Sequence, residues 1–148
     1  SSIRKDINIV QINHTLTTER GSVRGMHFQQ PPFGETKIVR CIKGSVFDVA
    51  VDLRKDSNTF LQWYGINLSE ENMKLLVIPE GFAHGFQTLD DNCEMLYLHT
   101  EFYNKEYESG IRYNDPSIGI EWKLPVSNIS DRDRNHLLID KSFKGIVL

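Results

Sequence analysis

Hydrophobic and polar residues alternate with a period of two along much of this chain. The clearest run is Val46 to Leu53, where Phe47, Val49, Val51 and Leu53 share one face while Asp48 and Asp52 share the other. Successive side chains of a strand point to opposite sides, so this run predicts a strand with one face on a core. Lys37 to Ile42 reads as the strand before it, with Lys43-Gly44 as the tight turn between them. Leu75 to Ile78 reads as a third strand, closed by Pro79-Glu80-Gly81. Glu94 to Thr100 reads as a fourth, with Met95, Tyr97 and His99 facing one way and Leu96 and Leu98 the other. Pro79, Gly81 and Gly85 read as turns. One helix start stands out: Ser130-Asp131-Arg132-Asp133 resembles a capping box ahead of Leu137, Leu138 and Ile139. Short, regularly spaced strands with few helices predict an antiparallel sandwich or barrel.

Composition narrows the picture. The 148 residues suit a single domain, 1–148, with its own core. Lysine plus arginine number 17 against 20 aspartate plus glutamate, a net charge of −3, which argues against a general nucleic-acid binder. No apolar run approaches the length of a membrane span, and the N-terminal stretch Ser1-Ser2-Ile3-Arg4-Lys5-Asp6 lacks the apolar character of a signal peptide. Cys41 and Cys93 form no recognisable framework and read as free thiols in a reducing cytoplasm.

Two stretches carry candidate chemistry: Arg24-Gly25-Met26-His27-Phe28-Gln29 and Gly81-Phe82-Ala83-His84-Gly85-Phe86. Each sets a histidine, the side chain best suited to moving protons near neutral pH, beside glycine and aromatic residues. Lys37 follows the first histidine and Tyr97 the second. A base, a cation and a phenol are the parts needed to take a proton from beside a carbonyl and return one elsewhere. Each has a plainer reading as well. His27 and His84 could be structural histidines, Lys37 an edge-strand lysine, Tyr97 a core tyrosine and Asp133 a helix cap. Arg24 and His27 stand three apart, so an ideal strand puts them on opposite faces. They share a cavity only if the strand bends or bulges, and Gly25 allows that.

These blocks, with Lys37-Ile38-Val39-Arg40, Asp48-Val49-Ala50-Val51-Asp52-Leu53-Arg54, Asn114-Asp115-Pro116 and Gly119-Ile120-Glu121-Trp122, occur in an order and spacing that resembles the dTDP-4-dehydrorhamnose 3,5-epimerase family, a branch of the cupin superfamily. The resemblance implies a cupin-like jelly-roll antiparallel β-sandwich with a few short helices, paired as a homodimer. It implies epimerisation of a nucleotide-diphosphate-linked 4-keto-6-deoxyhexose at C3, C5 or both, through an enolate, with no cofactor and no metal. By the same resemblance His27 matches the general base, Tyr97 the acid on the opposite face, and Lys37 the cation beside the developing oxyanion. His84 matches a second active-site histidine, and Asp133 the carboxylate that orients His27. Arg24 and Arg132 match diphosphate contacts, Tyr103 a base-stacking position, Glu108 a further substrate contact, and Gln11 and Asn13 the polar pair at the base. Ile12 replaces the acidic residue usual between that pair, and the spacing from Gln11 to His27 is one residue longer than the family leads one to expect. Family members usually begin with a longer segment carrying an Asp-x-Arg-Gly motif. This chain has no such motif, and the expectation is a truncated or shortened member.

Two other function classes stay open at the level of sequence. One is a non-catalytic sugar-nucleotide-binding cupin, which the missing N-terminal motif keeps in play. The other is a metal-dependent cupin, disfavoured because the closely spaced His-x-His and glutamate pattern is absent.

Overall fold

The computed structural model describes residues 7–148. Nine strands follow in chain order: β1 (Gln11–Thr17), β2 (Val23–Gln29), β3 (Lys37–Lys43), β4 (Ser45–Asp52), β5 (Trp63–Ser69), β6 (Leu75–Ile78), β7 (Phe82–Thr88), β8 (Cys93–His99) and β9 (Glu108–Gly110), then one short helix, α1 (Asp131–Arg134). They pair antiparallel into a four-stranded sheet, β1-β8-β3-β6, and a five-stranded sheet, β5-β4-β7-β2-β9. The architecture is the expected jelly-roll sandwich, and among the described residues no helix is long and apolar enough to cross a membrane.

The alternation in β4 holds and its apolar face meets a core as expected, but the other face is not open to solvent. Both faces of β4 are buried. Phe47, Val49, Val51 and Leu53 pack in an apolar cluster with Met26, Phe28, Ile111 and Ile146, and with Ile118, Ile120, Trp122 and Phe143 of the long C-terminal segment. Val46, Ala50, Phe86, Val39, Cys41, Ile78 and Met95 form a second cluster, to which both sheets contribute. Asp48, read from sequence as facing away from a core, is therefore fully buried on the inter-sheet side. An acidic residue there needs partners, and it finds one at the functional site.

Two local readings are corrected. Gly85 is not a turn but the middle of β7, where an added Cβ would lie 2.6 Å from Met26 Sδ and 2.5 Å from the Arg24 carbonyl. The capping box holds at its first half only. Ser130 Oγ accepts from the Asp133 amide, but the helix ends at Arg134, so Leu137, Leu138 and Ile139 lie beyond it. Leu137 is 84% exposed and contributes no core face that would extend the helix.

Candidate functional site

Strand register assembles the site. In the five-stranded sheet His27 of β2 lies directly opposite His84 of β7, and Gly110 of β9 lies opposite His27 on its other side. Ala50 of β4 completes this row beside His84. In the four-stranded sheet, Gln11, His99, Lys37 and Ile78 form one cross-strand row, and Asn13, Tyr97, Val39 and Leu76 the next inward-facing one. The histidines thus hang from one sheet, and Lys37 and Tyr97 from the other. Arg24, His27, Lys37, His84, Tyr97 and His99 line one cavity of about 420 Å³. Gln11, Asn13, His27, Lys37, Tyr103 and Glu108 line an adjoining one of about 280 Å³.

Arg24 and His27 reach the same cavity because the β2–β7 register shifts between them. Gly25 takes φ +128° there, and an added Cβ would lie 2.6 Å from Gly85 Cα. Two glycines face to face let β2 and β7 close up at the kink.

Each histidine of the row holds a carboxylate. His27 Nε2 donates to Asp133 Oδ1 at 2.6 Å, and Asp133 Oδ2 accepts the Gly25 amide at 3.1 Å. That bond sets the His27 tautomer and leaves Nδ1 as the nitrogen with a free lone pair. Burial pushes the Asp133 carboxyl up, but the bond and charge of His27, the Gly25 amide and the charge of His136 outweigh it and hold it below its ordinary value. His84 Nε2 donates to Asp48 Oδ1 at 2.7 Å, while His84 Nδ1 lies 3.4 Å from Lys37 Nζ. Burial drives the His84 imidazole below its ordinary value against the pull of Asp48, so its Nδ1 lone pair is placed to accept from the lysine. Burial likewise lowers Lys37, opposed by Glu35, Asp48 and Glu108. Tyr97 is pushed up by burial and by the charge of Asp48, which keeps its phenol a proton donor.

Of the remaining residues expected from sequence, Gln11, Asn13, Tyr103 and Glu108 line the second cavity, Arg132 stands beside it through Glu108, and Arg24 lines the first. Gln11 donates to Asn13 Oδ1 at 3.1 Å and accepts from the Tyr103 amide, also at 3.1 Å. Glu108 lies in β9 and pairs with the guanidinium of Arg132, whose side chain is more than half exposed. Arg24 is half-buried and donates to its neighbour Val23's carbonyl at 3.2 Å.

Comparison with known proteins bears out the family that the blocks of sequence resemble. The family model for dTDP-4-dehydrorhamnose 3,5-epimerase matches residues 2–141. The chain belongs to this family. It is 48% identical over 134 residues to the dTDP-4-dehydrorhamnose 3,5-epimerase of Shigella flexneri, covering 90% of this chain and 74% of that one. It is 50% identical over 134 residues to that of Methanothermobacter thermautotrophicus, covering 88% and 71%. Among solved structures, the Bacillus anthracis enzyme with TDP and pyrophosphate bound superposes with a TM-score of 0.87 at 42% identity, covering 89% of this chain and 75% of that one. The Legionella pneumophila enzyme in complex with dTDP-4-keto-L-rhamnose gives 0.87 at 38% identity, covering 95% and 76%.

Four residues of the site had no role in the sequence reading: Asp48, Glu35, His99 and His136. Asp48 was on view as an acidic residue inside an apolar strand, but only the sandwich reveals that its face is the cavity side. His99 had been placed on the same strand face as Tyr97, against which it now stacks with ring centroids 6.1 Å apart. It bonds Glu35 at 3.0 Å through Nδ1 and faces Asn13 at 3.3 Å through Nε2. His136 sits three residues after Asp133, with its Nε2 3.4 Å from Asp133 Oδ1, and its ring meets that of His27 edge-on. His27, Asp133 and His136 are the cluster of this site whose donor atoms stand close enough to share a metal ion.

Proposed function

We propose that this chain epimerises a dTDP-linked 4-keto-6-deoxyhexose at C3 and C5, proton by proton, through enolates. The observation that carries the proposal is the placement of His27 and Tyr97 on opposing walls of one cavity, in a chain of this family. A sugar ring between the walls meets a base on one face and a phenol on the other. His27 Nδ1 takes the proton beside the ketone, and Asp133 stabilises the resulting imidazolium. Lys37 stands by the oxygen on which the enolate charge collects, and the neutral His84 holds that ammonium in place. Tyr97 then donates from the opposite side, inverting the carbon. Gln11, Asn13, Tyr103 and Glu108 line the side where the nucleotide would lie, and Arg24 and Arg132 supply guanidinium groups for the diphosphate.

The test is proton NMR of dTDP-4-dehydro-6-deoxyglucose in deuterated water, following label and stereochemistry together. The expected result is deuterium at C3 and C5 with inversion at both. Uptake at one carbon alone would make the chain a single-site epimerase, and absence of uptake would make it a binder. In Tyr97→Phe the enolate still forms, and His27 returns label to the same face, giving exchange without inversion. Inversion at the parental rate in Tyr97→Phe would remove Tyr97 from the acid role.

We further propose a homodimer. On the outer face of the four-stranded sheet, Ile12, Leu98, Ile38 and Val77 form an apolar row across all four strands, and Leu96 and Leu75 stand in the next one. Ile12 is 62% and Leu75 56% exposed, and a second copy is the proposed cover. Light scattering that returned a monomer at high protein concentration would rule the pairing out. The cytoplasm is the proposed location, where the buried thiols of Cys41 and Cys93 stay reduced.

A further inference from the structure

We propose that His27, Asp133 and His136 form a binding site for a divalent transition-metal ion of the zinc type, and that an ion bound there switches the base off. The cluster is not the closely spaced His-x-His arrangement sought in the sequence. One histidine comes from β2, and the carboxylate and second histidine come from α1 and the residues just after it. Their donor atoms all lie within 4.8 Å of one another.

Three observations point the same way. First, His136 Nε2 is buried and has no hydrogen-bond partner among the described residues, although it lies 3.4 Å from Asp133 Oδ1. A buried polar atom left unmatched costs about 1–3 kcal/mol, and coordination would satisfy it. Second, the spacing suits the ion. Ligands at about 2.0–2.1 Å around a tetrahedral zinc stand roughly 3.3 Å apart. The His136–Asp133 pair is already there, at 3.4 Å, and the His27–Asp133 pair, at 2.6 Å, need only open by under an ångström once the proton between them leaves. Third, the surroundings hold the donors in place. Asp133 Oδ2 is fixed by the Gly25 amide, an outer-shell bond of the kind that orients metal-ligating carboxylates. The imidazole of His136 occupies space that exists because residue 110 is glycine, where an added Cβ would lie 2.4 Å from the ring.

Two imidazoles and one carboxylate favour zinc, nickel or copper over magnesium or calcium. Binding replaces the proton that His27 Nε2 shares with Asp133 and releases it to solvent, so affinity falls as pH falls. With the ion on Nε2, the His27 ring no longer gains a proton readily at Nδ1, and isomerisation stops.

The experiment is calorimetric titration of the metal-free, full-length chain with Zn²⁺, paired with visible spectroscopy of the Co²⁺-loaded protein, both without substrate. The expected results are one Zn²⁺ per chain and the d–d bands of a low-coordinate Co²⁺ site. His136→Gln, checked for fold by circular dichroism, should weaken binding by on the order of 100-fold or more, beyond what outer-shell changes cost. His84→Gln, which leaves all three donors in place, should bind as the parent does. If His136→Gln does not fold, His27→Asn must show the same loss. Absence of one-to-one binding, or binding by His136→Gln equal to the parent's, overturns the site. Zn²⁺ inhibition is then read for each protein against its own metal-free rate. Because binding is read without the sugar nucleotide, the metal site and the epimerase reading fail or stand separately, while the switch rests on that reading: Zn²⁺ that binds one-to-one without slowing a parent shown to be active overturns the switch.

Discussion

Two histidine–carboxylate pairs sit side by side on the same sheet, with bonds of nearly equal length, and differ in almost everything else. The His27–Asp133 pair is bonded at 2.6 Å, with the His27 side chain 32% exposed to the cavities. The His84–Asp48 pair is bonded at 2.7 Å, with side-chain exposures of 4% and 0%. Asp133 has both oxygens occupied, one by His27 and the other by the Gly25 amide. Asp48 Oδ2 is buried without a hydrogen-bond partner among the described residues. One imidazole is open to the cavities, where water can reach it. The other is sealed, held neutral by burial, and fixes its neighbour Lys37. The same two residue types thus give one pair suited to the proposed base and one suited to an electrostatic strut, according to how far the sheet lets solvent in.

Removing the carboxylates one at a time should break this comparison most visibly. Asp48→Ala leaves His84 and Lys37 buried without their shared counter-charge, and the expected loss is about 3–5 kcal/mol of stability. Asp133→Ala leaves a histidine that the cavity can hydrate, and the expected loss is about 1–3 kcal/mol. Chemical denaturation of both variants measures the difference. Equal losses would mean that exposure does not separate the pairs.

Next in size is the effect on turnover. His27→Asn should leave the fold nearly intact and lower isomerisation by about two to four powers of ten, the usual worth of a general base. Deuterium uptake near the parental rate in a folded His27→Asn protein would place the base elsewhere, and His84 would be the first residue to examine.

The smallest expected effect is on the pH dependence of stability. Burial holds the folded-state pKa of His84 below its ordinary 6.5. The unfolded chain therefore takes up this proton first as pH falls below about 6.5. Stability associated with neutral His84 is complete above that pH and is lost progressively on acidification towards the lower folded value. His136 is lowered too, chiefly by burial and then by the charge of His27, and contributes with the same sign. Asp133, lowered from 3.8, adds its loss only in stronger acid. Thermal denaturation between pH 7 and pH 5 should show a falling midpoint in the parent and a flatter profile in His84→Gln. An unchanged slope would mean that the folded and unfolded chains hold the His84 proton equally well.

The local pattern was enough to place β4 and β8 within a residue or two and β6 at its observed bounds, since alternation is a property of the chain itself. It also put Tyr97 and His99 on one face, and the glycine between Arg24 and His27 foretold where the strand would deform. Which face of β4 meets the cavity was not legible, because a strand buried on both sides alternates two kinds of burial rather than burial and exposure. Asp48 therefore looked like a solvent residue until the second sheet covered it.

Residue type and order by themselves determined the family, the strand-rich class and the inventory of base, cation and phenol. Which groups act as pairs was decided only by the tertiary structure. His27 and Asp133 are 106 residues apart in the chain, and His84 and Asp48 are 36. Such bonds depend on sheet register and on where the C-terminal segment comes to rest. The capping signal at Ser130 shows the reason in miniature. Locally, Asp133 had the look of a residue folded back on its own helix. In the folded chain the half-buried imidazole of His27 and the buried amide of Gly25 each take one oxygen of that carboxylate, partners the local sequence does not show.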